Sequence, residues 1–168
     1  MPQTNINTSD PTALRFLMND VIFSIGDNAK PSNARQEEQS RLVGYGQNRR
    51  NYLFLIQEKK HRWMSAEAME AFTKTLAALK LSVDDVTLLN LETSPGKPQM
   101  EDIIFSFLPK VMVLLGVTPQ SVGLNHLPNE PLSDYNGITV FCTCTFDEML
   151  IDGEKKKLFW STIKTVLI

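Results

Sequence analysis

Short apolar runs set between amphipathic stretches govern what this chain can fold into. From residue 52 onward, Tyr52–Ile56, Val86–Leu89, Val111–Leu115 and Ile138–Cys142 are almost wholly apolar and only four or five residues long. Runs of that length without polar alternation are how a strand reads when both faces of its sheet are covered. The stretches between them carry helical spacing. Ser65 caps a helix with core positions Ala68, Met69, Phe72, Leu76 and Leu79, and Met100–Leu108 turns Ile103, Ile104 and Phe107 inward. Glu154–Leu167 packs Phe159, Trp160, Ile163, Val166 and Leu167 as one stripe. Strands alternating with helices predict an α/β fold, a three-layer α/β/α domain with a short, four-stranded, mostly parallel sheet.

The front of the chain reads differently. Asp10 followed by Pro11 is a helix start, and Leu14, Leu17, Met18, Val21, Ile22 and Ile25 form a continuous apolar stripe before Gly26. The spacing predicts a helix over 11–25. Residues 27–48 are polar, which makes them either a flexible connection or a functional loop over the sheet edge. Two regions follow: an N-terminal helix and polar linker over 1–50, and an α/β domain over 51–168. Within that domain, Ser82-Val83-Asp84-Asp85 precedes the second strand, Thr93–Pro98 is a loop and Thr118-Pro119 opens a short turn. Residues 125–137 read as an irregular loop, and 143–150 as the loop leaving the fourth strand.

Composition narrows the chemistry. The 168 residues carry a formal charge of −2, so bulk electrostatics do not point to nucleic acid, although a local basic patch stays open. The two cysteines, Cys142 and Cys144, stand two apart on a predicted strand and are expected on one face as buried, reduced thiols. His61 and His126 stand in no metal-binding spacing, and Gly44-Tyr45-Gly46 is too short to cradle a phosphate. No metal and no cofactor are expected. No run approaches the ~18 apolar residues of a membrane span, and the first residues hold no basic region or apolar signal core, so no membrane contact and a cytoplasmic location are expected.

In order along the second half come Leu115-Gly116 at a strand end, Thr143-Cys144-Thr145-Phe146-Asp147 after a later strand, then Trp160 and Ile163-Lys164 on the last helix. This order resembles the uracil-DNA glycosylase superfamily, especially its iron–sulfur class, over roughly residues 50–168. The resemblance implies a glycosylase-like fold without the family's chemistry. Thr145, Phe146 and Asp147 stand where that class has His-Pro-Ser, Lys59, Lys60 and His61 stand where it has glycine and proline, and the four cluster cysteines are absent. Ser82-Val83-Asp84-Asp85-Val86 with Leu88-Leu89 is also similar to the psi subunit of bacterial DNA polymerase III, a degenerate form of the same scaffold. These likenesses imply a bacterial, non-catalytic protein–protein adapter in a DNA replication or repair assembly, with a clamp-loader-type partner and weak nucleic-acid binding.

Candidate residues follow from both lines. Leu14, Leu17, Met18, Val21 and Ile22 would bind the protein partner, as an amphipathic helix on a long linker can lie in a groove. Lys59, Lys60, Arg62 and Trp63 mix cations with an aromatic at a strand's C-terminal end, either a phosphate- and base-binding patch or a solvated loop anchored by a buried tryptophan. Glu58 is the acid placed to activate water, which defines the alternative expectation: a nucleic-acid-binding enzyme, a DNA glycosylase-type hydrolase. Asp147 and Glu148 could act as acid and base, could bind a metal, or could simply do capping and dipole work at a helix start.

Overall fold

A computed structural model describes residues 42–167 apart from 126, 128 and 129. The predicted helix 11–25, with Leu14, Leu17, Met18, Val21 and Ile22, lies outside the described residues, as does His126. In chain order the elements are β1 (Tyr52–Ile56), α1 (Ala66–Ala78), β2 (Val86–Asn90), α2 (Met100–Phe107), β3 (Val111–Leu115), β4 (Leu132–Tyr135), β5 (Ile138–Thr143), α3 (Phe146–Ile151) and α4 (Gly153–Leu167). Short 3-10 turns at Val83–Asp85 and Pro119–Val122 complete the connections.

The protein is α/β, built on a mixed five-stranded sheet in the order β2-β1-β3-β5-β4. Strands β1, β2, β3 and β5 run parallel, and β4 joins β5 antiparallel. Each face of the sheet carries its own core. Phe54, Ile56, Leu88, Val113 and Phe141 point to one side, where α1, α3 and α4 bring Phe72, Leu76, Phe146, Phe159 and Ile163. Leu53, Leu55, Leu89, Met112, Leu114 and Val140 point to the other, against Met100 and Ile103 of α2 and Val122 of the second turn. Double coverage is why the four parallel strands are mostly apolar, with β1 and β3 the most nearly continuous runs. On the first side an aromatic chain crosses the elements: Phe54 meets Phe72 edge-on at 5.1 Å, Phe72 meets Phe146 at 5.8 Å, and Phe146 meets Phe159 at 5.5 Å. Pairs in that geometry add about 0.5–1.5 kcal/mol each beyond their buried area.

Three sequence expectations are corrected. The sheet has a fifth strand, β4, inside the stretch read as an irregular loop. Its residues alternate between exposed and half-buried, so it lacks the apolar run of a covered strand. Tyr135 pairs with Ile138 across Asn136 and Gly137, whose φ values of 54° and 82° make the tight turn of a two-residue hairpin. The stretch 143–150 is not a simple loop either. Thr145 accepts a hydrogen bond from the Glu148 N–H at 3.2 Å, and α3 starts there with Asp147 and Glu148 in its first turn, the helix-start role for those acids. Finally, Cys142 and Cys144 are half-buried rather than buried and do not share a face: Cys142 packs with the α2-side core and Cys144 with the α1-side core. Strand β5 ends at Thr143, so its alternation does not extend to Cys144.

The segment ahead of β1 covers an edge. Tyr45 exchanges backbone hydrogen bonds with Leu88, and Asn48 N–H donates to the Val86 carbonyl at 3.1 Å, so residues 45–48 lie antiparallel along the outer side of β2. Gly44 and Gly46 permit this approach. A Cβ on Gly44 would run into Thr87 Cγ2, and one on Gly46 into the Val86 carbonyl oxygen. Arg49 and Arg50 then reach Asp84 and Asp85 at 3.5 and 3.7 Å.

Candidate functional site

Parallel α/β sheets take ligands outside the carboxyl ends of their strands, where the order reverses. Here β1 lies between β2 and β3, so that point is the crevice between the ends of β1 and β3. Ile56, Gln57, Glu58 and Met64 form one side, and Leu115, Thr145, Phe146 and Asp147 the other. The space left is about 30 Å³. That holds a water or two, against ~300–1,000 Å³ for a ligand cleft.

The chain's own side chains close it. Gly116 leaves β3 at φ 66°, and a Cβ there would collide with Thr145 Cγ2, so the threonine methyl rests on the glycine backbone. Ser65 caps α1 by accepting from the Ala68 N–H at 3.1 Å, and its hydroxyl donates to Asp147 Oδ1 at 2.6 Å. Asp147 is therefore tied to the start of α1. Glu148 pairs with Lys155 at 3.0 Å and holds that ammonium above its ordinary pKa.

Glu58 stands at the crevice mouth with its carboxylate folded into its own loop. Oε1 accepts from the Lys60 N–H at 2.7 Å and lies 3.8 Å from His61 Nδ1. Lys59, Lys60 and Arg62 are exposed on the same loop. Trp63 packs against the α1-side core, with the Arg62 guanidinium 5.5 Å from its ring centre and Tyr45 at 5.9 Å. The structure thus brings Glu58, Lys59, Lys60, Arg62 and Trp63 onto one loop. Arg49 and Arg50 are engaged elsewhere, with the acids beside β2.

The residue that shapes this loop is Asn90, which sequence reasoning missed. It ends β2 at 1% exposure. Its Oδ1 accepts from the Glu58 N–H at 3.0 Å and the Glu92 N–H at 3.1 Å. Its Nδ2 donates to the Glu58 carbonyl at 2.8 Å and the Arg62 carbonyl at 3.0 Å, with a longer 3.4 Å contact to that of His61. The Asn90 carbonyl accepts from the Ser94 hydroxyl at 2.7 Å. One buried amide thus fastens the loops after both β1 and β2. Asparagine after an apolar run reads in sequence as a turn residue, which hides such a role.

The Ser82–Asp85 segment is a structural turn. Asp85 accepts from the Ser82 N–H at 2.7 Å and from its hydroxyl at 2.8 Å, and these bonds, with Arg50 and Arg49 nearby, hold its carboxyl below the usual range. Burial raises the Cys142 thiol above its ordinary pKa. Among the described residues, no group of three His, Cys, Asp or Glu side chains is placed to hold a metal ion, and no helix is long and apolar enough to cross a membrane.

Fold and site together define a class: an α/β domain with a parallel-sheet core, an antiparallel edge hairpin and a filled crevice at its switch point. No protein-family model matches the sequence, and no curated protein matches it.

Proposed function

We propose that this protein is a non-catalytic protein–protein adapter on a uracil-DNA glycosylase-like scaffold, serving a DNA replication or repair assembly. The observation that carries this reading is the filled crevice. At the address where such a scaffold would do its chemistry, Thr145 sits on Gly116, Asp147 is bonded to Ser65, and about 30 Å³ remains. A flipped base needs a pocket that takes it whole. The four parallel strands with helices on both faces also suit this scaffold. In this reading Leu14, Leu17, Met18, Val21 and Ile22 form one docking element for a clamp-loader-type partner.

Two measurements test it. Co-purification with clamp-loader or single-strand-binding proteins, lost when residues 1–26 are deleted, is the expected result. Uracil release from a single-stranded oligonucleotide, abolished by Glu58→Gln, overturns it in favour of a hydrolase using Glu58.

Weak nucleic-acid binding is a second reading, favoured by the exposure of Lys59, Lys60 and Arg62 on a loop fixed by Asn90. Removing all three cations should flatten the salt dependence of single-strand binding by about 2 in slope, at ~0.7 per phosphate contact. Binding with an unchanged slope removes the patch.

A further inference from the structure

Two segments far apart in the chain meet in an aromatic platform beside the basic loop. Tyr45 lies on the strap along β2, where its backbone bonds to Leu88 and the flanking Gly44 and Gly46 let the strap approach. Trp63 closes the loop after β1. The two ring centres are 5.9 Å apart, with their planes inclined at 45°. The Arg62 guanidinium lies over the Trp63 ring, its carbon 5.5 Å from the centre, which is inside the ~6 Å reach of a cation over an aromatic face. Trp63 is half-buried and rests on the α1-side core, whereas Tyr45, at 39% exposure, and Arg62 reach solvent.

The charges around the platform are of one sign where they are free. Among the described residues Lys59, Lys60 and Arg62 form no ion pair, whereas Arg49 and Arg50 are held by Asp84 and Asp85. The acids of the two loops are engaged: Glu58 accepts from the Lys60 N–H at 2.7 Å, and Glu92 from the Gln57 amide at 2.7 Å. Cations alone would take any polyanion. A guanidinium and two rings beside them add a demand for a flat π-face, which stacks on both. A duplex keeps its base faces inside its own stack, and a run of carboxylates has none. The ligand that meets both demands is an unpaired nucleotide strand.

We propose that Tyr45, Arg62 and Trp63 form a stacking platform for an unpaired base of single-stranded nucleic acid, with Lys59 and Lys60 on the flanking phosphates. The proposal rests on the nucleic-acid reading above and adds to it the form of the strand and the residues that select it. Asn90 holds the Glu58 and Arg62 carbonyls, so the loop is set before a strand arrives and little ordering is lost on binding.

The test uses the full chain and three end-labelled ligands of equal length: oligothymidylate, the same strand abasic throughout, and a duplex. Anisotropy gives the affinities. Quenching of Trp63 emission, read in a Trp160→Phe background that leaves Trp63 as the one tryptophan, reports the stack. Oligothymidylate should bind about fivefold tighter than the abasic strand or more, the equivalent of ~1 kcal/mol for one stacked base, and tighter than the duplex at the same salt. Arg62→Lys keeps the charge and loses the planar face, so it should bring that preference down towards one with the salt slope unchanged. Tyr45→Leu, which keeps the strap's backbone, should do the same, with melting curves confirming that both variants fold. Equal affinity for the thymidylate and abasic strands makes the patch a polyanion site and overturns the proposal. Tighter binding of the duplex overturns it as a duplex site, and a preference that survives both substitutions overturns the platform. In each of these cases a salt slope that still flattens on loss of Lys59, Lys60 and Arg62 leaves the nucleic-acid reading standing. An unchanged slope, or no binding of any strand, removes that reading together with the platform.

Discussion

Removing the Asn90 side-chain amide should be among the most damaging polar substitutions in this protein. Asn90→Ala leaves the N–H groups of Glu58 and Glu92 and the carbonyls of Glu58 and Arg62 without their partner. Each such bond is worth ~0.5–1.5 kcal/mol net, and part-buried groups recover some of that from water, so the expected loss is about 3 kcal/mol. In a domain of this size that lowers the melting temperature by about 10 °C. Urea unfolding followed by circular dichroism gives the stability, and amide exchange should quicken across 57–63 and 91–94 before it does in the strands. Asn90→Asp sharpens the argument. It keeps the acceptor but points a carboxylate at the carbonyls of Glu58 and Arg62 in a buried site, which raises its folded pKa above the unfolded value of about 3.9. The protonated acid can still donate, so the deficit of Asn90→Asp relative to the native protein should be small in acid and grow as pH rises through that raised pKa. A loss below ~0.5 kcal/mol for Asn90→Ala, the size of an ordinary surface substitution, would refute the reasoning. A pH-independent deficit for Asn90→Asp would refute it as well.

Gly116→Ala should cost about 2–4 kcal/mol, combining a strained positive φ with the collision against Thr145, and Thr145→Ser in the same chain should restore part of it. Denaturation of the two single variants and the double variant gives the coupling, and strict additivity would contradict the contact. Asp85 has a folded pKa below its unfolded one, so its contribution is present at neutral pH and lost as pH falls through the carboxylate range. The gap between the native protein and Asp85→Asn should therefore be widest near pH 7 and close on acidification, as read from urea midpoints at several pH values.

What the sequence made legible follows from how each element is covered. Strand β3 occupies Val111–Leu115 as read, and β1 occupies Tyr52–Ile56, because a strand covered on both faces is mostly apolar. Helix α1 appeared through Ser65 and its spaced apolar residues. The edge strand β4 escaped because Ser133 and Asp134 interrupt it, yet the Asn136-Gly137 pair was a usable hairpin signal. At the site, the sequence placed Glu58 and the basic loop correctly at the end of β1, since both are local to that strand. The partners that decide their behaviour lie far away in the chain: Asn90 is 32 residues from Glu58, and Asp147 is 82 from Ser65. Such pairings exist only once the sheet is assembled, and no local pattern announces them.

The strap along β2 sets where this domain can be cut. Residues 45–50 give up N–H groups to the carbonyls of Leu88, Val86, Asp84 and Asp85, and so shield the last ladder of the sheet. A chain trimmed to begin at Asn51 would keep every predicted strand and still be left with a bare, mostly apolar margin along β2. Such a margin is a template for pairing with other molecules. The trimmed fragment would precipitate or form chains of sheets, while one starting at Leu42 would stay dispersed. For this fold the shortest well-behaved fragment is defined by two glycines in what reads as linker, not by the first residue of the first strand.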